Sequence, residues 1–94
     1  MNKLLISHRE DILALAKKNG LKNVRVFGSM ARDDARPDSD VDFLVELEEG
    51  RTGLALGGFQ IDATELLQRK VDVVTEKSLH PKIHDRVIDQ AQPL

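Results

Sequence analysis

The sequence predicts an α/β (α+β) domain whose helices cover a small sheet, with elements in the order αβαβαβα. Two observations carry this expectation. Three short stretches rich in branched and apolar residues, Val24 to Phe27, Asp40 to Leu47 and Val71 to Thr75, have strand character. Each is separated from the next by a turn signal and a segment of helical apolar spacing. With 94 residues there is room for one core only, because halving the chain would leave each part too small for burial to offset chain entropy. Residues 1–94 therefore read as one domain.

In chain order, Ile12, Leu13, Leu15 and Ala16 form the apolar stripe of a first helix. Ser7 followed three residues later by Glu10 predicts a capping box at its start, and Gly20 closes it. Val24 to Phe27 is bounded by polar residues and a glycine, which favours a buried strand over a helix. A brief helix fits Ser29 to Ala35, stopped by Pro37 through its restriction on Arg36. From Asp40 to Leu47 the residues alternate. Val41, Phe43, Val45 and Leu47 share one face, and Asp40, Asp42, Leu44 and Glu46 the other. A polar loop with two glycines leads to a helix carrying Phe59, Ala63, Leu66 and Leu67, whose start the Gly57-Gly58 pair blurs. Val71 to Thr75 is the third strand, with Asp72 and Val74 on one face. The last helix starts near Pro81, which suits a first helical turn, and its stripe is Ile83, Val87, Ile88 and Ala91.

Composition narrows the partners. Three Phe with no Trp or Tyr leave no aromatic platform for stacking bases, and a net charge of -2 with scattered Lys and Arg lacks a phosphate-backbone footprint. Direct nucleic-acid binding is not expected. The absence of cysteine removes disulfides and thiolate metal sites, and no apolar run resembles a signal peptide or a membrane span. A cytoplasmic protein whose partner is a small anion with metal, or another protein, is the expectation.

The chemistry concentrates in Gly28-Ser29 and in Asp40-Val41-Asp42. Glycine after a strand lets backbone approach a ligand, and a serine opening a helix adds a hydroxyl to free amide donors, a pairing that suits phosphate. An ordinary tight turn would use the same two residues. Carboxylates at i and i+2 on a strand project from one face, roughly 6.5 Å apart along the chain, and repel unless a cation or basic group neutralises them. Such all-oxygen ligation selects Mg²⁺ or Mn²⁺ over zinc, whereas a solvated sheet face would also accept the pair. Asp72 interrupts an otherwise apolar strand, where an unpaired carboxylate is costly to bury unless it lies at an edge facing water. On a neighbouring strand it could ligate metal or take a proton from an attacking hydroxyl. His8, His80 and His84 lack a metal-ligand spacing and read as solvated or structural.

Gly28-Ser29-Met30-Ala31-Arg32, six residues, and then Ser39-Asp40-Val41-Asp42-Phe43-Leu44-Val45 resemble the G-S-x-A-R-x6-S-D-x-D signature of the minimal nucleotidyltransferases, small relatives of the DNA polymerase β superfamily. The resemblance extends through Lys70-Val71-Asp72-Val73-Val74, which looks like the family's third-carboxylate strand, to a closing helix from His80-Pro81. It implies a mixed sheet, ATP as substrate, two Mg²⁺ ions and transfer of AMP to a hydroxyl. It also implies a partner, a HEPN-domain ribonuclease toxin modified on a tyrosine, with this chain as the antitoxin, and leaves open a homo-oligomer or a hetero-complex. By the same resemblance Asp40, Asp42 and Asp72 are the catalytic and metal-binding residues. Gly28, Ser29, Arg32 and Ser39 fall to the nucleotide. Where many relatives have glycine after the motif arginine, this chain has Asp33 and then Asp34, extra negative charge near a triphosphate unless solvent screens it. Two alternatives stand beside this reading: an antitoxin that neutralises by binding alone, and transfer to a small molecule.

Overall fold

The computed structural model describes residues 1–94. Two short helices, α1 (Lys3–Ser7) and α2 (Arg9–Lys18), lead into β1 (Leu21–Phe27), α3 (Ser29–Arg32) and β2 (Val41–Leu47). Then come α4 (Leu54–Leu67), β3 (Val71–Val74), a 3₁₀ turn (Glu76–Ser78), α5 (Pro81–Gln90) and β4 (Gln92–Pro93). The sheet is mixed, in the order β3-β2-β1-β4. β1 runs antiparallel to both β2 and β4, while β2 and β3 are parallel and are linked by the α4 crossover.

Alternation along β2 decides what each face does. Val41, Phe43 and Val45 are buried beneath Phe59, Ala63 and Leu67 of α4 and Ile12 and Ala16 of α2. Phe43 and Phe59 meet with ring centroids 5.4 Å apart, tilted by 55°, the offset geometry that aromatic quadrupoles favour. Asp42 and Leu44 point to the opposite face, over which lie the 3₁₀ turn and α5, where Val87 is the buried anchor. One face is thus core, and the other is free to carry chemistry.

Several expectations shift in detail. Ser7 does not cap the α2 helix: it ends α1, its hydroxyl donates to Leu4 O at 2.9 Å, and His8 precedes α2 without a side-chain cap. The cause is Leu5, fully buried, which draws residues 3–7 into a separate turn packed on the core. β1 starts three residues before Val24, with a bulge between Lys22 and Arg25 where Asn23 takes a φ of 49°. The fourth strand is two residues long and includes a proline at a sheet edge, where a missing amide is tolerated. Ala91 lies just past the end of α5, and Ile83 is 40% exposed, so the predicted stripe of that helix is only partly buried.

Candidate active site

Register brings the site together. Phe27 at the end of β1 pairs with Asp42 on β2, and Asp42 pairs with Asp72 on β3. Paired residues in a sheet point to the same side, so one row across three strands carries Phe27, Asp42 and Asp72. The row opens into a cleft of about 420 Å³ whose far wall is Ser78, Leu79, His80 and Ile83. The carboxyl of Asp42 is held above its ordinary value of 3.8, first by burial, then by the charges of Asp72 and Asp40, with Lys70 and Arg32 pulling it partly back.

Gly28 closes the other end. Its φ of 72° and ψ of -154° lie in a region open essentially to glycine alone, and a Cβ built there would stand 2.6 Å from Asp42 Oδ2. The residue therefore both turns the chain and leaves room for the carboxylate. Ser29 opens α3, whose N-terminus has no side-chain cap. Asp40 does not lie on the strand as expected. β2 begins at Val41, whose amide donates to Lys70 O at 2.9 Å, and Asp40 sits just outside, with Lys70 Nζ 3.8 Å from its carboxylate. Asp42 and Asp72 stand side by side across the strands while Asp40 lies before β2 beside Lys70, so the three carboxylates form no closed cage of metal-binding side chains.

The remaining predicted residues are placed less centrally. Arg32 reaches sideways, its Nε 3.1 Å from Asp34 Oδ2, and does not line the cleft, although its charge is felt at Asp42. Ser39 Oγ accepts the Arg36 amide at 2.7 Å and staples the turn that delivers Asp40. Asp33, the unusual residue after the motif arginine, adopts φ 62° and ψ 25°, the left-handed conformation that glycine enters without cost. Its carboxylate pairs with the Met1 amino group at 2.9 Å and is 60% exposed, so its charge is turned to solvent. Asp33→Gly should consequently leave nucleotide binding unchanged and stabilise the fold by up to about 1 kcal/mol, since relief of the left-handed strain outweighs an exposed ion pair; urea melts would check it.

Sequence reasoning did not single out Gln60, Ser78, Leu79, His80 or Ile83 as site residues. For His80 a signal was present: a polar residue directly before a helix-opening proline occupies the N-cap, and its Nδ1 accepts the Lys82 amide at 3.1 Å.

A family model described as "Nucleotidyltransferase domain" matches residues 8–94. The chain belongs to the nucleotidyltransferase domain family. Among relatives of this nucleotidyltransferase, the protein adenylyltransferase MntA of Thermococcus cleftensis is 34% identical over 85 residues, 90% of this chain and 83% of that one. A solved structure of a candidate minimal nucleotidyltransferase superimposes with a TM-score of 0.85 at 43% identity, covering 100% of this nucleotidyltransferase and 97% of the other chain. A chain from the solved complex of tri-AMPylated Shewanella oneidensis HEPN toxin with MNT antitoxin shares the fold, with a TM-score of 0.66 at 20% identity over 92% of this chain and 67% of that one. The predicted family and the mixed-sheet α/β fold are therefore both found.

Proposed function

We propose that this chain transfers AMP from ATP to a hydroxyl, a tyrosine by the family resemblance, of a partner HEPN-domain toxin in the cytoplasm, and so acts as the toxin's antitoxin. The observation that carries the proposal is the register pairing of Asp42 with Asp72 beside Gly28, which gathers negative charge at one end of a cleft. The named activity of the MntA relative and the AMPylated HEPN toxin in the Shewanella complex support it.

The donor set fits a hard divalent cation. All candidate ligands are carboxylate oxygens, and the resistance of the Asp42 carboxyl to ionisation, caused by burial and by Asp72 and Asp40, marks a place where positive charge would be favourable. Asp42 and Asp72 would hold Mg²⁺, joined by Asp40 once released from Lys70. When bound, Mg²⁺ would neutralise the phosphates and the charge that builds up during transfer. Gly28 and the uncapped amides at Ser29 would take the triphosphate, with Arg32 adding positive charge from the flank. Ser39 would contribute by holding the turn before Asp40. Asp72 would receive the acceptor proton, and catalysis would rest on positioning and charge neutralisation. Residues 1–94 would act as one catalytic domain.

A second reading, neutralisation by binding alone, is favoured by Leu54 and Ile61 of α4, which are 87% and 63% exposed. Labelled ATP separates the two. Incubated with Mg²⁺ and its partner HEPN-domain protein, the enzyme should move label from α-labelled ATP onto that protein, but none from γ-labelled ATP, and a chelator should stop the transfer. Label from neither, with the toxin still inhibited, would favour the binding-only reading.

A further inference from the structure

Resting on the reading above, we infer that His80 binds the acceptor hydroxyl through its Nε2–H and aims it at the α-phosphorus. The order of residues across the sheet supplies the direction. Gly28 stands at the end of β1, Asp42 follows on β2 and Asp72 on β3, and beyond β3 the chain turns into the wall formed by Leu79, His80 and Ile83. In-line displacement puts the entering oxygen opposite the leaving pyrophosphate. With the phosphates on the Gly28–Ser29 side, the acceptor arrives from the β3 side, along that wall.

The wall holds one suitable side-chain donor. Asp42 and Asp72, when ionised, only accept hydrogen bonds. Gln60 Nε2 is engaged with Val71 O at 2.8 Å, and Ser78 Oγ bonds both the amide and the carbonyl of Thr75. His80 differs from all of these. Because its Nδ1 accepts the Lys82 amide, the neutral ring carries its proton on Nε2, which has no partner within the chain. Leu79 and the 40%-exposed Ile83 flank it with apolar surface for the body of the incoming side chain. In the transfer the hydroxyl proton passes to Asp72, a bond forms between the hydroxyl oxygen and the α-phosphorus, and the bond from that phosphorus to pyrophosphate breaks. His80 keeps its own proton throughout.

Two substitutions separate this role from helix capping. His80→Ser keeps a good N-cap and removes the donor, whereas His80→Gln places an amide N–H near the position of Nε2 and gives up the better cap. With Mg²⁺, ATP and the HEPN protein as acceptor, His80→Ser should lower kcat/KM for the acceptor by about tenfold to a hundredfold, the scale of one lost hydrogen bond to a reacting group. The affinity for ATP, read by calorimetry, should stay unchanged, and His80→Gln should recover most of the loss. Wild-type transfer by His80→Ser overturns the assignment, as does a fall in ATP affinity that parallels the loss of transfer. Loss of transfer in His80→Gln while His80→Ser stays active overturns the assignment and leaves the residue a helix cap alone. Absence of transfer by the unmodified chain overturns both this inference and the function on which it rests.

Discussion

Replacing Asp42 with asparagine is expected to lower AMP transfer by about a thousandfold, the scale set by losing a charged group that acts on the transferring phosphate. The same change should raise the melting temperature of the metal-free protein. Both outcomes have one origin. Burial and the neighbouring Asp72 and Asp40 raise the Asp42 carboxyl above 3.8, so the folded state binds its proton more tightly than the unfolded chain does. The unfolded chain then carries fewer protons than the folded one between 3.8 and the raised value, and stability falls as pH rises through that window. Above it the penalty of the buried charge is fully present. Asparagine keeps the shape and removes that penalty. Thermal melts across the acid range should therefore show a pH-dependent fall in the wild type that is reduced in Asp42→Asn. Added Mg²⁺ should stabilise the wild type far more than the variant, because a ligand that binds only the folded state shifts the equilibrium towards it. A variant that loses transfer and also melts earlier would mean that Asp42 is a structural residue.

Gly28→Ala should be damaging in both stability and rate. The new Cβ would meet Asp42 Oδ2 at 2.6 Å, and the backbone conformation, φ 72° and ψ -154°, is one that alanine scarcely adopts. Strain of this kind costs about 1–3 kcal/mol, which chemical denaturation would report directly. The carboxylate cannot stay where it is, and displacement of a reacting group by about an ångström typically lowers rates about a hundredfold. The discriminating comparison is with Ser29→Ala. That substitution adds no atom and should leave stability within about 0.5 kcal/mol. If Gly28→Ala folds and transfers AMP like the wild type, the close approach of Gly28 to Asp42 has no functional weight.

How far the residues announced this arrangement depends on whether their signal is local. The alternation from Val41 to Leu47 and the apolar run around Asp72 are complete within a few positions, and both strands form with the expected faces. Parallel register, which puts Asp42 beside Asp72, is tertiary information, yet the crossover helix between the two strands made it the natural pairing. The misplaced features have nonlocal causes. Asp40 stops short of the strand: the Val41 amide donates to Lys70 O, and the Asp40 carboxylate lies beside Lys70 Nζ, contacts made with a residue thirty positions away. The first half of β1 is hidden by a bulge at Asn23, and β4 exists only because the chain end returns to the Arg25 and Val26 edge. His80 looked unremarkable because its importance lies in which wall it stands on, and only the turn after β3 decides that. Asp33 is the reverse case. A residue that suggested unwanted charge proves to be a left-handed position whose side chain faces away from the carboxylate row.

The most direct test of AMP transfer that depends on Asp40, Asp42 and Asp72 is the intact mass of the HEPN protein purified after co-expression with this chain. Wild-type chain should yield toxin heavier by whole AMP increments, and a chain carrying both Asp40→Asn and Asp42→Asn should yield toxin of unmodified mass. Equal masses from the two co-expressions, whether both modified or both unmodified, would contradict the account.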